Sequence, residues 1–353
     1  LANNSAVIVS SRIKKEEFDN LWLKVENSGA GEPGLYFTND PEYGTNPCVE
    51  TSLRPFSFCN LTEISALGID SQEEFNNRSK IASFINTLQA SYTDFVYLRS
   101  IWKKNTEKDA LIGTGITGIG SGNLDLLDKK EASKIVVEEN KRVSKLIGIN
   151  KAARCCVVKP AGSSSIVLGT SSGIHAYHND YYIRRVRVNK NEAIYTYLAI
   201  NHPELLEDEL FNPTTTAVIS IPQMSPIGAH IRTESALALL ERTKEYNLDW
   251  VRNSHNSGPN YHNVSATISI KDNEWKEVGE WMWKNKDSYH GLSVLPYSDH
   301  TYKQAPFEDC SEIEFNTLFE KLKDINLTNV TEFSDNTDLM GETACSGGSC
   351  EIK

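Results

Sequence analysis

Short extended runs alternate with amphipathic stretches along most of the 353 residues, and that alternation restricts what the chain can fold into more than any other feature. AVIVSS (6–11) and GLYFT (34–38) are rich in β-branched or aromatic residues and predict strands. SQEEFNNRSKIASFINTLQASYTDF (71–95) opens on a serine with glutamate three positions on, and carries apolar residues at helical spacing. KKEASKIVVEENKRVSKLIGI (129–149) predicts a second amphipathic helix, and CCVVKP (155–160) a short buried strand stopped by proline. Farther on, YYIRRVRV (181–188) and TAVISIP (216–222) predict strands, and SALALLERTKEYNLDWVRN (235–253) a helix. NVSATISI (263–270), EWKEVGEWMWKN (274–285) and GLSVLP (291–296) then follow as strand, helix, strand, the order of a right-handed crossover in a parallel sheet. The expected class is α/β, with no internal repeat.

With 39% hydrophobic and 24% charged residues the chain can bury a substantial core, and its length allows one large or two ordinary domains. No apolar run approaches the ~18 residues that span a bilayer, so no membrane partner is expected. A net charge of −11 speaks against nucleic acid as a partner, because phosphate binding needs a basic face. Seven cysteines are too sparse for a disulfide scaffold. Six Asn-x-Ser/Thr triplets would suit a secreted glycoprotein, but LANNSAVIVSSR has neither the basic nor the apolar region of a signal peptide. A reducing, cytoplasmic setting with reactive thiols is expected instead. The start at Leu1 reads as a cut, the chain being a processed product or a fragment. From about residue 326 to 353 the sequence turns polar and Gly/Ser-rich, and a mobile tail is expected.

GTGITG (113–118) fits the dinucleotide-binding glycine pattern by letter, but only Ala110, Leu111 and Ile112 precede it where a strand is needed. A tight turn in a packed site is the expectation. In KPAGSSSIVLGTSSGIHA (159–176) a strand ends at Pro160, and Gly162 with Ser163, Ser164 and Ser165 precedes an apolar run. Such a loop at a helix N-terminus offers backbone N–H groups to a phosphate, though an ordinary helix cap accounts for it equally well. Cys345 and Cys350, in CSGGSC, are spaced so that two thiols can meet and exchange electrons with an external dithiol. Without a second pair or nearby histidines they do not predict a metal site. In NPCVE, Cys48 stands within two residues of Asn46 and Glu50, with Cys59 eleven positions on. Cys155, Cys156 and Cys310 read as packed or surface thiols. A phosphate loop, a thiol beside an amide and a carboxylate, a second thiol and a tail dithiol together suit a two-electron reduction of a phosphorylated substrate.

In this order NPCVE with Cys59, KPAGSSSIVLGTSSGIHAYHNDYYIRRVRV, YHNVSATISIKDNEW, GLSVLPYSDHTYKQAPFEDC and ACSGGSCEIK resemble ribonucleotide reductases, above all the monomeric, adenosylcobalamin-dependent (class II) ribonucleoside-triphosphate reductases. The resemblance covers nearly the whole chain. It implies that residues 1–325 are the C-terminal part of a ten-stranded α/β barrel, with a central finger loop at about 40–65 and the phosphate loop at 159–166. It implies a thiyl radical on Cys48, formed with adenosylcobalamin, that takes the 3′ hydrogen of the ribose. Glu50 would be the general base at the 3′-hydroxyl, Asn46 would hold the ribose hydroxyls, and Cys59 would be one of two thiols reducing C2′. Pro160, Ala161, Gly162, Ser163, Ser164 and Ser165 would hold the substrate phosphates. Cys345 and Cys350 would carry electrons from thioredoxin or a similar dithiol.

In the family the partner of Cys59 lies on an earlier strand, whereas no cysteine precedes Cys48 here. The segment carrying it, and the specificity-effector site, is therefore expected in a longer protein, monomeric when whole. Half a barrel leaves strand edges unpaired, so the segment alone is expected to fold poorly and lack turnover. Radical-subunit-dependent reductases carry adjacent tyrosines on a late strand, where GLSVLPYSD offers only Tyr297. Two other readings stay open: the large subunit of a ribonucleoside-diphosphate reductase, and a thiol–disulfide oxidoreductase using only Cys345 and Cys350.

Overall fold

The aromatic run of helix Lys15–Asn27 decides where the first layer forms. Phe18, Trp22 and Val25 fall on one face and are buried. They pack against helix Trp275–Lys284, where the Trp22 indole donates to the Trp275 carbonyl at 3.1 Å. Gly279 sits mid-helix at that contact because a Cβ there would lie 2.4 Å from Trp22 Nε1. The computed structural model describes residues 4–298, 302–322 and 325–332. They divide into two units: the first comprises Leu1–Ala176 and Glu234–Tyr297, the second Tyr177–Thr233 and the described residues from Ser298 onward.

In the first unit one sheet runs in the order Ser5–Val9, Gly34–Thr38, Gly291–Pro296, Thr267–Ile270. Its outer pairs are parallel and its central pair antiparallel. The predicted strand–helix–strand near the end of the unit is present, with Thr267 opposite Ser293. A second pair, Asn60–Ser65 and Ile112–Thr117, is parallel and in register from Asn60–Ile112 to Ser65–Thr117. Helix Gln72–Gln89 packs on it and helix Lys129–Ile147 packs on that helix, each opened by the cap its sequence offers. Ser71 accepts from the Glu74 amide, and Asp128 from the amides of Lys130 and Glu131.

Three local readings change. GTGITG is neither a nucleotide turn nor a tight turn: its first five residues lie in the buried strand Ile112–Thr117. The glycines are there for close packing, since a Cβ on Gly113 would sit 2.4 Å from Leu61 Cδ2 and 3.2 Å from both Val157 methyls. Gly113→Ala should therefore lower stability by about 1–3 kcal/mol, read from the denaturant midpoint, as overpacking displaces Leu61. CCVVKP is buried as expected but makes only isolated bridges, Cys156 with Thr114 and Val158 with Val264. Helix Gln72–Gln89 exists, yet it buries Ser79, Ala82, Ser83, Asn86 and Thr87 and leaves Ile81 and Ile85 exposed. Its small polar residues bond across the helix pair, with Ser83 Oγ donating to Val136 O at 2.7 Å and Asn140 Nδ2 to Thr87 Oγ1 at 2.9 Å.

The second unit is built on an antiparallel sheet in the order Phe307–Asp309, Tyr181–Asn189, Thr216–Met224, Leu206–Asp208. The basic run on its long strand is neutralised by neighbours. Arg185 pairs with Glu308 at 2.6 Å and Glu207 at 3.3 Å, and Arg187 with Glu209 at 3.5 Å. Of the predicted tail, Leu327–Asn329 forms a short 3₁₀ turn. Cys345 and Cys350 lie outside the described residues.

Candidate active site

NPCVE forms the tip of a small hairpin in the first unit. Gly44–Thr45 pairs antiparallel with Ser52–Leu53, and residues 46–51 close the turn between them. Asn46 organises that turn, its backbone carbonyl accepting from the Val49 amide and its Oδ1 from the Thr51 amide, both at 3.0 Å. Its side-chain NH₂ has no hydrogen-bond partner among the described residues. Cys48 is exposed. Glu50, two residues on, is 1% exposed, and its Oε2 has no hydrogen-bond partner among the described residues. A buried carboxylate oxygen left unbonded is costly, so its presence marks a place where a donor is expected to arrive.

The hairpin is held from below by His262 and Asn263 of YHNVSATISIKDNEW, residues to which the sequence reading gave no role at the site. The Asn263 amide donates to Glu50 O at 2.8 Å, and the Ser52 amide donates to His262 Nδ1 at 3.1 Å. His262 Nε2 lies 3.2 Å from Ile112 O, which fixes the tautomer with the proton on Nε2. His290 accepts the Tyr261 amide on Nε2 and bonds Phe37 O through Nδ1 at 2.7 Å. Burial holds the His290 pKa down at about 4 and pushes His262 down strongly as well. Both are neutral in the folded protein and charge in the unfolded chain below the ordinary value of 6.5. Their stabilising contribution is thus whole above pH 6.5 and is lost as the pH falls toward 4, at up to about 1.4 kcal/mol per pH unit for each. Denaturant midpoints should fall across that window, and His290→Gln should flatten the slope.

Cys59 follows the hairpin at the mouth of strand Asn60–Ser65, half-buried, its thiol 3.7 Å from Asn60 O. Burial pushes its pKa up to about 12; Glu50 adds to the rise, while Thr51 and Arg154 oppose it. Arg154 is 1% exposed and donates from Nη1 to Ser257 O at 3.1 Å. It lies 3.6 Å from Asp109, which also pairs with Arg54, and its Nε has no hydrogen-bond partner among the described residues. A lone arginine in the middle of CCVVKP's approach gave no sequence signal of this. Cys155 and Cys156 are fully buried core thiols. The strand pairing sets Cys59 and Cys155 on chains two interstrand spacings apart, about 9.6 Å, too far for a disulfide without movement. Cys310 is half-buried in the second unit.

In the segment read as a candidate phosphate loop, Pro160 and Ala161 lead through Gly162 into the one-turn helix Ser163–Val167. Its three serines differ. Ser163 is exposed, Ser164 donates to Glu63 Oε2 at 2.5 Å, and Ser165 is buried and donates back to the Ala161 and Gly162 carbonyls. Ser165 thus shapes the loop. Lys159, Ser163, Ser164 and Glu63 line an open cleft of about 510 Å³.

No protein-family model matches the chain. Curated relatives do: the adenosylcobalamin-dependent ribonucleoside-triphosphate reductase of Lactobacillus leichmannii is 26% identical over 353 residues, covering 88% of this chain and 46% of its own length. That of Lactobacillus acidophilus is 24% identical over 368 residues, covering 91% and 46%. The chain therefore spans less than half the length of the curated relatives it matches. A crystal structure of a B12-dependent (class II) ribonucleotide reductase superposes with a TM-score of 0.75 at 22% identity, over 93% of this chain and 50% of the other. The alpha subunit of a class Id ribonucleotide reductase from Actinobacillus ureae gives 0.53 at 12% identity, over 80% and 61%. In sequence and in fold the chain is a relative of the adenosylcobalamin-dependent, class II ribonucleotide reductases.

Proposed function

We propose that this chain carries the catalytic loop of an adenosylcobalamin-dependent ribonucleoside-triphosphate reductase, which makes 2′-deoxyribonucleoside triphosphates as DNA precursors. The observation that supports this best is the hairpin tip: an exposed thiol two residues from a buried carboxylate whose Oε2 has no hydrogen-bond partner among the described residues, with the Asn46 NH₂ at the other end of the turn. Adenosylcobalamin would supply the radical equivalent when bound. The fit to so bulky a cofactor rests on the exposure of Cys48, which leaves the thiol approachable.

The remaining chemistry belongs to this chain. As a thiyl, Cys48 takes the hydrogen atom from C3′, breaking the C–H bond and forming S–H. Glu50 accepts the proton of the 3′-hydroxyl through the oxygen that is otherwise unbonded. Asn46 donates its NH₂ to the ribose hydroxyls. Cys59 enters protonated, as its raised pKa requires, and can give its proton to the departing 2′-hydroxyl, which leaves as water. Cys59 and a second thiol then supply two electrons and become a disulfide, and the second thiol's hydrogen replaces the hydroxyl at C2′. Glu50 gives the proton back to the 3′-oxygen, and Cys48 returns its hydrogen atom to C3′, which re-forms the thiyl. Cys345 and Cys350 would reduce it and be reduced in turn by thioredoxin or a similar dithiol. The substrate phosphates would lie along Pro160–Ser165, held by backbone N–H groups and Ser163. Among the described residues no helix is long and apolar enough to cross a membrane. We propose that the whole enzyme is cytoplasmic and monomeric.

The test is CTP reduction by dithiothreitol, using protein expressed from the whole coding region, with and without adenosylcobalamin. Deoxyribonucleotide formed only with the cofactor is expected. Equal product without it, or none from well-folded protein, would sink the reading.

A further inference from the structure

We infer that Asn263, with Gly291 behind it, is the positioning residue for the Cys48–Glu50 turn, because it holds Val49 in a backbone conformation that valine resists. The inference rests on the function proposed above and names two residues, Asn263 and Gly291, to which that reading gives no role. Val49 has φ +65°, in the left-handed region, where a β-branched residue is strained. It separates the proposed radical site from the proposed base, so its backbone angles set how Cys48 and Glu50 face a common substrate.

The bonds of one residue hold the turn. Asn263 is 2% exposed and every polar group it has is engaged. Its Nδ2 donates to Val49 O at 3.3 Å and Gly291 O at 2.8 Å, its amide donates to Glu50 O at 2.8 Å, and its Oδ1 accepts the His290 amide at 3.1 Å. Its carbonyl accepts from the Val158 amide at 3.3 Å, two residues before the phosphate loop begins at Pro160. One residue therefore ties the hairpin to the segment that leads into the phosphate loop. Gly291 makes room on the other side, since a Cβ there would fall 2.4 Å from Val49 Cγ1. An aspartate at 263 would lose both Nδ2 donations, leaving the Val49 carbonyl unheld.

The test is a pair of rescue cycles in protein expressed from the whole coding region. Asn263→Asp and Gly291→Ala are each made alone and together with Val49→Gly, a residue that adopts φ +65° without strain and has no Cγ1 to clash. Two readouts are taken: kcat and KM for CTP reduction, and hydrogen exchange of the amides of residues 49–52. Each single variant should lower kcat about 10- to 100-fold with KM nearly unchanged, as expected for a displacement of catalytic groups, and should speed exchange of those amides. Val49→Gly should restore most of both losses. A role of Asn263 in general folding would not be repaired by glycine at 49, so failure of the rescue overturns the inference, as does unchanged exchange in the single variants. If Asn263→Asp does not fold, the Gly291→Ala cycle carries the same decision. If the parent protein reduces no nucleotide, the proposed function falls while amide exchange still decides the clamp.

Discussion

Cys48→Ser should abolish nucleotide reduction while leaving the fold untouched. The thiol is exposed at the hairpin tip, and Asn46, Asn263 and His262 organise the hairpin through its backbone groups. A surface replacement of sulfur by oxygen should move stability by no more than about 0.5 kcal/mol. The chemistry is another matter. An O–H bond is too strong for its hydrogen to be removed as readily as that of a thiol, so serine cannot take over the radical. Turnover below detection beside an unchanged denaturant midpoint is the expected pair of results. A thiol oxidoreductase working only through Cys345 and Cys350 would keep its activity in this variant.

Glu50→Gln should lower kcat/KM for reduction by about 10²- to 10⁴-fold, the range for losing a positioned general base. Its effect on stability should go the other way. The native carboxylate is 1% exposed and leaves Oε2 without a hydrogen bond, a burial that costs free energy. An amide of the same shape removes the charge and should leave the denaturant midpoint equal or higher. Activity lost while stability is kept or gained marks a residue retained for chemistry and not for packing. Loss of both together would assign Glu50 to the scaffold.

Much of the fold could be seen in the sequence where periodicity and capping agreed. The helices opened by Ser71 and Asp128, and the strand–helix–strand from Thr267 to Pro296, formed within a few residues of expectation because local and tertiary preferences coincide there. Burial was harder to see. In helix Gln72–Gln89 the apolar side chains Ile81 and Ile85 drew the eye, while Ser83 and Thr87 supply the packed face through bonds to a helix about fifty residues away, and Asn86 through a bond to Thr114 on the strand beneath. GTGITG misled for a related reason: its glycines answer to Leu61 and Val157 on neighbouring segments, which no local motif encodes.

The same division runs through the candidate site. Cys48, Glu50 and Asn46 lie within five residues and could be named from NPCVE alone. His262 and Asn263 reach the hairpin from 210 and 214 positions away, with His290 bonded behind Asn263, and nothing local in the sequence ties them to it. Asn263 also heads one of the six Asn-x-Ser/Thr triplets set aside in the sequence, and its side chain is buried and fully bonded. Of the three loop serines, the sequence could not tell that Ser165 bonds its own loop and Ser164 a glutamate.

The central claim is that the Cys48 sulfur takes the hydrogen at C3′, and the measurement closest to it compares turnover of CTP with that of CTP deuterated at C3′, in protein expressed from the whole coding region with adenosylcobalamin and dithiothreitol. The account predicts slower turnover of the deuterated substrate, with all product formation lost in Cys48→Ser. Equal rates for the two substrates together with an active Cys48→Ser protein would contradict it.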